Sequence, residues 1–597
     1  MKHETVPAPE GRPQAVAHRA RRALIAGMAG LALTPLVTCS ESGSASSNAG
    51  SIGGFSGGVT GGIGGAGPVN DGVGGAGGTT APPEQELDSA YQVPVGTGRF
   101  VWIANPTSGR VSAVDAQSLA VTTVEAGDAP TTVAAVPVPG GGDQVVVLNA
   151  LSNDATVLRA DGATVTGLTI PGVAPGSNRL IVSPAGRFAI AWTDWRRVDG
   201  ARATQGFQSV TVLDLGVANA SATPDAGTGA TSNPTHTTLA VGFRPVSIAF
   251  TVDERRAFAV TEDGISVIAL DAAGGPVVNA NVALGDDPTA SADTRDVSIT
   301  ADGRFAVVRR EGSDTVSIVN LASGALTPLR FAAAVTDVDV TADGTRALAV
   351  VRDTAEVALI PLGATAPTAA DVTIITITGE TVGQAVLTAD GSMAVLYSNA
   401  VPAERVTVVT LTGTPSWRTL RVHAPVLSVI PSPDGRGAVV LHPSDTGADG
   451  AAGTGGNTAP DGGAGGNAGS SGNPTPVAGA FSLLPLDGTH PALIQTTDAP
   501  IQTVAFSSAG DRALITVRDD VHQIYGVYLG LFPTLEVRRY PLASPPIAAG
   551  VAATAGRGYV AQQNPEGRIT FITLDTGEAR TLTGYELGAR VVDWSRP

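Results

Sequence analysis

Seven histidines, one cysteine and 53 acidic side chains are the groups through which this chain of 597 residues could do chemistry. His3, His18, His236, His423, His442, His490 and His522 stand far apart, with no H-x-H or H-E-x-x-H pair among them. A zinc or iron site would have to be assembled from separate parts of the fold, and solvent-facing loop histidines are the simpler reading. Haem attachment through C-x-x-C-H needs two cysteines and is excluded. The serine-glycine motif AGSSG around Ser470 lies in a low-complexity run, without the strand-to-helix turn that activates a serine nucleophile. Lys2 is the only lysine and precedes the expected processing site, which removes Schiff-base chemistry and a phosphate-loop lysine. On these grounds no catalytic residue, no metal ligand and no cofactor is assigned.

The carboxylates follow a pattern of their own. Asp302, Asp343, Asp390 and Asp434 each precede a glycine in a recurring turn. Such repetition points to turn chemistry, because a reaction centre needs one asymmetric constellation. Asp337 and Asp339 alternate along one strand and face either a central channel, where they could bind a cation, or solvent at a strand edge. The most distinctive stretch is AWTDWRRVDGARATQGFQ, Ala191 to Gln208, which holds two of the chain's five tryptophans beside three arginines. Trp192, Trp195, Arg196 and Arg197 are therefore candidates for a partner-binding surface, since Trp and Arg dominate binding hot spots. The other reading is a tryptophan packed on a neighbouring sheet beneath stacked arginines.

The elements that must position these residues begin with an export signal. Arg19, Arg21 and Arg22 flank the run ALIAGMAGLALTPLV, which is too short and too broken by Gly and Pro to span a bilayer comfortably. Cys39 follows at once, and Leu36 to Cys39 (LVTC) resembles the lipobox of bacterial lipoproteins. That resemblance implies a signal peptide at 1–38 and a diacylglycerol on Cys39, with Thr38 larger than the usual residue before the cysteine. Ser40 rather than Asp after it implies sorting to the outer membrane, facing the periplasm or the cell surface. Residues 39–83 are almost all Gly, Ser, Ala and Thr and cannot bury enough apolar surface to order themselves. They read as a tether spanning roughly 35–40 Å. A net charge of −17 argues against nucleic acid as a partner, and a single cysteine leaves no intramolecular disulfide.

The remainder, 84–597, is expected to be all-β. Gly counts 75 and Pro 41 while aromatics are 4%, a balance that suits short strands and turns. One unit recurs, most clearly as VSITADGRFAVVRR, VDVTADGTRALAVV, AVLTADGSMAVLYS and SVIPSPDGRGAVVL. Each is a hairpin whose glycine supplies the turn, followed by a third strand such as DTVSIVNL and a weaker fourth. Four antiparallel strands every 40–50 residues or so is the period of propeller blades. About ten units start near Arg99, Thr131, Asn178, Val246, Asp296, Val335, Val382, Val426, Ile501 and Ile547. A low-complexity insert at 444–476 interrupts one of them. The first unit opens without an innermost strand and the chain ends on an unpaired one, Arg590 to Trp594. One ring closed by the C-terminal strand is thus expected, with two smaller propellers in series as the alternative.

With the repeat laid out, FVWIANPTSGRVSAVDAQSLAVTTVEAG (Phe100 to Gly127) resembles the YVTN-type repeat of surface-layer and YncE-like β-propeller proteins. Similar layouts appear in REGSDTVSIVNLASGAL and QQNPEGRITFITLDTGEA. The resemblance implies a propeller of the cell envelope and transfers no catalytic residue. The expectation is a non-enzymatic envelope lipoprotein held to the membrane by its lipid, whose propeller binds another envelope protein or a polysaccharide. The alternatives are a propeller hydrolase of the lactonase type and a structural surface-layer component.

Overall fold

Residues 188–192, FAIAW, show how the strands are made to stack. Phe188, Ile190 and Trp192 point to one side of their sheet, and Ala189 and Ala191 to the other. The same division of large and small recurs in the next unit, where Ala257 and Ala259 receive the large face of FAIAW and Phe258 and Val260 face onward. Ala347 and Ala349 likewise receive Phe305 and Val307. A sheet with bulk on one side and alanine on the other fits the next copy of itself, so stacking propagates in one direction.

The computed structural model describes residues 61–62, 94–138, 141–195, 207–216, 234–284, 295–443 and 478–588. They form ten antiparallel sheets of four consecutive strands, the ninth joined at its inner edge by the pair Gly61–Gly62. The blades span 95–125, 130–171, 179–240, 245–282, 295–330, 337–376, 384–421, 428–496, 501–541 and 546–583, numbered 1 to 10 here. Each opens within four residues of the position read from the repeat. No α-helix occurs among the described residues.

Ten hydrophobic clusters join the blades in order, each drawing on two neighbours, and the last joins blade 10 to blade 1. The chain is therefore one closed ten-bladed β-propeller and not two rings in series. At the closure Val101, Ile103 and Val114 pack on Tyr559, Ile569 and Phe571. The Tyr559 hydroxyl donates to the carbonyl of Pro94 at 2.9 Å, and Asn105 Nδ2 to that of Tyr585 at 3.0 Å. Blade 1 has its own innermost strand, Val95–Gly96. Arg590 to Trp594, expected in that place, lies outside the described residues, as do Cys39 and the insert at 444–476.

Radial position decides exposure. Second strands such as Phe305–Arg310 and Arg346–Val351 are buried on both faces, whereas the fourth strands Val121–Glu125 and Val277–Val282 mostly face water. Between the first two strands runs the Thr-x-Asp-Gly turn. Thr300 Oγ1 donates to Asp302 Oδ1 at 2.8 Å, Asp302 accepts the Arg304 N–H at 3.0 Å, and Gly303 takes φ 63°. Thr341 with Asp343 and Thr388 with Asp390 repeat this arrangement. Burial raises the Asp343 carboxyl, but hydrogen bonds from Thr341 and Thr345 outweigh it and hold the group below the ordinary carboxylate range. The recurring carboxylates are thus turn residues.

Arginines fasten the lower face, where these hairpins turn. Arg256 Nη2 donates to the Asp302 carbonyl at 2.8 Å and Arg304 Nη1 to that of Gly363 at 2.7 Å, each reaching the following blade. Arg557 closes the circle by donating to the Ala116 carbonyl at 2.9 Å.

Candidate functional site

The starts of first and third strands and the ends of second and fourth strands share the upper face, opposite the Thr-x-Asp-Gly turns. On that face the joint between blades 3 and 4 departs most from the repeat. Trp192 ends the second strand of blade 3 (Phe188–Trp192) and packs in the joint with Phe188, Ile190 and Ile248. It is 6% exposed. Trp192 therefore belongs to the core and not to an open binding surface, because its place in the alternation turns it toward blade 4. The matching positions of blades 2, 4 and 6 hold the aliphatic residues Leu148, Val260 and Val350, and those of blades 5 and 7 hold Arg309 and Tyr397.

Trp195, three residues on, is half-buried at the upper surface. The Arg244 guanidinium lies 4.7 Å from its ring centroid and 4.8 Å from that of Phe243, a flat cationic stack. Arg244 also pairs with Glu262 at 3.6 Å, and Arg179 with the buried Asp194 at 3.6 Å. Asn178 pins this corner, accepting the Asp194 N–H at 2.7 Å and donating to its carbonyl at 3.0 Å. Arg196 and Arg197 lie outside the described residues. The indole Nε1 atoms of both Trp192 and Trp195 are buried without a hydrogen-bond partner. The same joint opens at its lower end into a cavity of about 350 Å³ lined by Arg187, Asp214, Thr235, His236 and Asp271.

Further round the upper face, Asp296 and Asp337 occupy equivalent places in the first strands of blades 5 and 6. Both are buried, at 7% and 3% exposure. Asp337 Oδ2 accepts the Ala385 N–H of blade 7 at 2.7 Å, so it is an inter-blade contact, neither a solvated edge nor an open channel carboxylate. Asp296 stands 3.8 Å from Arg309 Nε. Burial pushes its carboxyl up, Asp337 adds to the rise and Arg309 opposes it, leaving the group at about 7. Sequence reading singled out Asp337 and passed over Asp296, although the two align when the repeats are superposed.

One serine-histidine pair has the distances of a catalytic dyad. His442 Nδ1 lies 2.8 Å from the Pro425 carbonyl, which makes it the donor, and Nε2 lies 2.8 Å from Ser482 Oγ. Ser482, however, is fully buried, and other blades hold the same contact with other residues: Asn149 donates to Thr156 at 2.9 Å and Gln562 to Thr570 at 2.7 Å. The pair is the version in blade 8 of a repeated polar bridge between second and third strands. His522 likewise bonds Asp519 at 2.6 Å within a turn where Asp519 also accepts the N–H groups of Val521 and His522. Among the described residues no three His, Cys, Asp or Glu side chains group to hold a metal ion.

Fold and site together define a ten-bladed β-propeller, in which many of the polar side chains described serve the repeat. No protein-family model matches the chain, and no curated protein matches it. Among solved structures it is similar to hydrazine synthase of Kuenenia stuttgartiensis, at 17% identity over 58% of this chain and 99% of that one, TM-score 0.28. It is also similar to a eukaryotic initiation factor, at 12% identity over 75% and 96%, TM-score 0.44. A third likeness is to the dihydro-haem d1 dehydrogenase NirN in complex with DHE, at 15% identity over 78% and 81%, TM-score 0.34. None of these likenesses is close enough to transfer a function.

Proposed function

We propose that the protein is a non-enzymatic envelope lipoprotein, anchored by a lipid on Cys39, whose propeller is a rigid scaffold for binding a partner. The observation that supports this reading best is the division of labour among the polar side chains. Hairpin carboxylates, the His442–Ser482 bridge and the lower-face arginines recur from blade to blade and are engaged in holding the ring together. A binding function needs something the repeat does not supply, and the joint of blades 3 and 4 is where the repeat is broken.

The anchor is tested by fractionation. Wild-type protein is expected to take up labelled lipid precursor and to partition with membranes, and Cys39→Ser to be recovered as a soluble form. A Cys39→Ser protein that still sediments with membranes, or a wild type that never takes up label, refutes the anchor.

A further inference from the structure

The joint between blades 10 and 1 differs from the other nine in its connection. Blade 10 spans 546–583 and blade 1 spans 95–125, so the chain does not run from one into the other, and among the described residues no sheet takes strands from both. Elsewhere a connector leaves the fourth strand, bonds back to its own blade and crosses to the next. The N–H groups of Val173 and Val422 donate to the carbonyls of Asn153 and Glu404 in their own blades, each at 2.9 Å. The connectors into blades 3 and 4 then reach the third strand ahead, where the Ala174 N–H donates to Thr211 Oγ1 and the Gly242 N–H to Ser266 Oγ, both at 2.9 Å.

Residues 584–588 repeat this path at the closure. The Gly584 N–H donates to the Gly567 carbonyl of blade 10 at 3.1 Å, and Tyr585–Leu587 then makes a single 3₁₀ turn against blade 1. Ser112 Oγ, which holds in blade 1 the place of Thr211 and Ser266, donates to the Glu586 carbonyl at 3.1 Å. Asn105 Nδ2 donates to the Tyr585 carbonyl at 3.0 Å, Ser108 Oγ to Glu586 Oε2 at 2.7 Å, and Arg110 Nη1 stands 3.5 Å from Glu586 Oε1. Leu587, 3% exposed, is the buried side chain of the turn and joins the apolar cluster between the two blades. Gly567, at φ 71°, admits the strap because a Cβ there would fall on the backbone of Gly584, Leu587 and Gly588. The first strand of blade 1, which a connector would otherwise enter, is Val95–Gly96, two residues against four to seven in the other blades.

We propose that this strap is a releasable latch and that the ring opens at the joint it crosses. Its hold is a few hydrogen bonds near the surface and one leucine, so it comes away in a local opening far short of unfolding a blade. Once it is off, side-chain packing, the Tyr559 hydroxyl and Arg557 are what hold the two faces. At any other joint a covalent connector keeps the parted faces at high effective concentration, and it must itself be stripped from the next blade before they separate. The strap supplies only the second of these restraints. The inference goes beyond the scaffold reading and is independent of the lipid anchor.

The test is thiol labelling of the folded, full-length chain carrying Cys39→Ser, in which an added cysteine is the only one. Ala552→Cys reports the joint of blades 10 and 1 at its lower end, away from the strap, and Ala347→Cys reports the joint of blades 5 and 6; both alanines are fully buried. Under native conditions a maleimide is expected to label position 552 about tenfold faster than position 347. Gly567→Ala, whose Cβ displaces the strap, is expected to speed labelling at 552 by about tenfold more and to leave 347 unchanged. Gly556→Ala, at φ 60° in the same blade with open space around its Cβ, bears the same backbone strain without the displacement and is expected to have little effect. Leu587→Ala removes the anchor without touching Gly567 and is expected to act as Gly567→Ala does, which provides a second variant should the first fail to fold. The latch is overturned if positions 552 and 347 label at equal rates, or if the strap variants leave 552 at its original rate. It is equally overturned if they speed both positions alike, or if Gly556→Ala speeds 552 as much as Gly567→Ala, since either result is a general loosening and not the release of a strap.

Discussion

Replacing Asp296 by asparagine is expected to make the protein more stable in mild alkali and to flatten its dependence on pH. The carboxyl is 7% exposed, with Arg309 on the second strand of its own blade and Asp337 on the first strand of the next. Its folded-state value of about 7 lies above the ordinary 3.8, so the folded protein holds a proton that the unfolded chain has released. Stability is therefore undiminished below about pH 4, falls as pH rises between about 4 and 7, and stays reduced above. Set against the ordinary 3.8, a folded-state value of about 7 corresponds to roughly 4 kcal/mol at pH 8. Asparagine has nearly the same shape and no such titration, but it leaves Arg309 without its carboxylate, a loss of about 1–3 kcal/mol. The net expectation at pH 8 is a gain of about 1–3 kcal/mol, with a wild-type slope approaching 1.4 kcal/mol per pH unit at about pH 5 to 6 that is absent from the variant. Urea denaturation midpoints of both proteins from pH 4 to 8.5 measure this. Asp337→Asn, which removes the neighbouring charge but keeps an oxygen for the Ala385 N–H, is expected to move the wild-type transition to lower pH. Parallel pH profiles for Asp296→Asn and the wild type would refute the argument that this carboxylate is held protonated by burial.

Three further outcomes follow from the ring. Gly550→Ala is expected to destabilise by about 3 kcal/mol, because its new Cβ would fall on the Tyr559 ring and hydroxyl at the closure; a melting temperature equal to wild type removes that contact from the account. Arg557→Ala gives up the bond to the Ala116 carbonyl and is expected to cost about 1.5–3 kcal/mol, with faster limited proteolysis next to blade 1. His442→Asn is expected to fold, since blade 2 uses Asn149 in the same bridge, and to lose a pH effect. Burial holds the His442 imidazole below its ordinary 6.5, so the wild type loses stability as pH falls through that value. Midpoints at pH 5 and 7 that differ equally in both proteins would show that His442 is not the group responsible.

Repetition is what made the fold legible from residues alone. The Thr-x-Asp-Gly turn is a local device: a hydroxyl, a carboxylate and a glycine at φ 63° close a hairpin whatever lies around them, so Thr300 to Gly303 announces its structure without a neighbour. Alternating strands of period 2 and a turn recurring in unit after unit then point to blades and to about ten of them, because nothing in that inference needs distant parts of the chain to meet. What the sequence leaves open depends on such meetings. Whether ten blades make one ring or two is decided by Val101 and Ile103 finding Tyr559 and Phe571. Trp192 and Trp195 look alike in the sequence, yet the first is core and the second surface, because a strand ends between them and the side of the strand that Trp192 takes faces blade 4. Asp296 and Asp302 are both aspartates of blade 5, and only packing separates a carboxyl pushed up to about 7 from one held low. Local hydrogen bonds are encoded over a few residues, whereas burial is a property of surfaces that the closed ring brings together, and it is burial that sets the chemistry of these side chains.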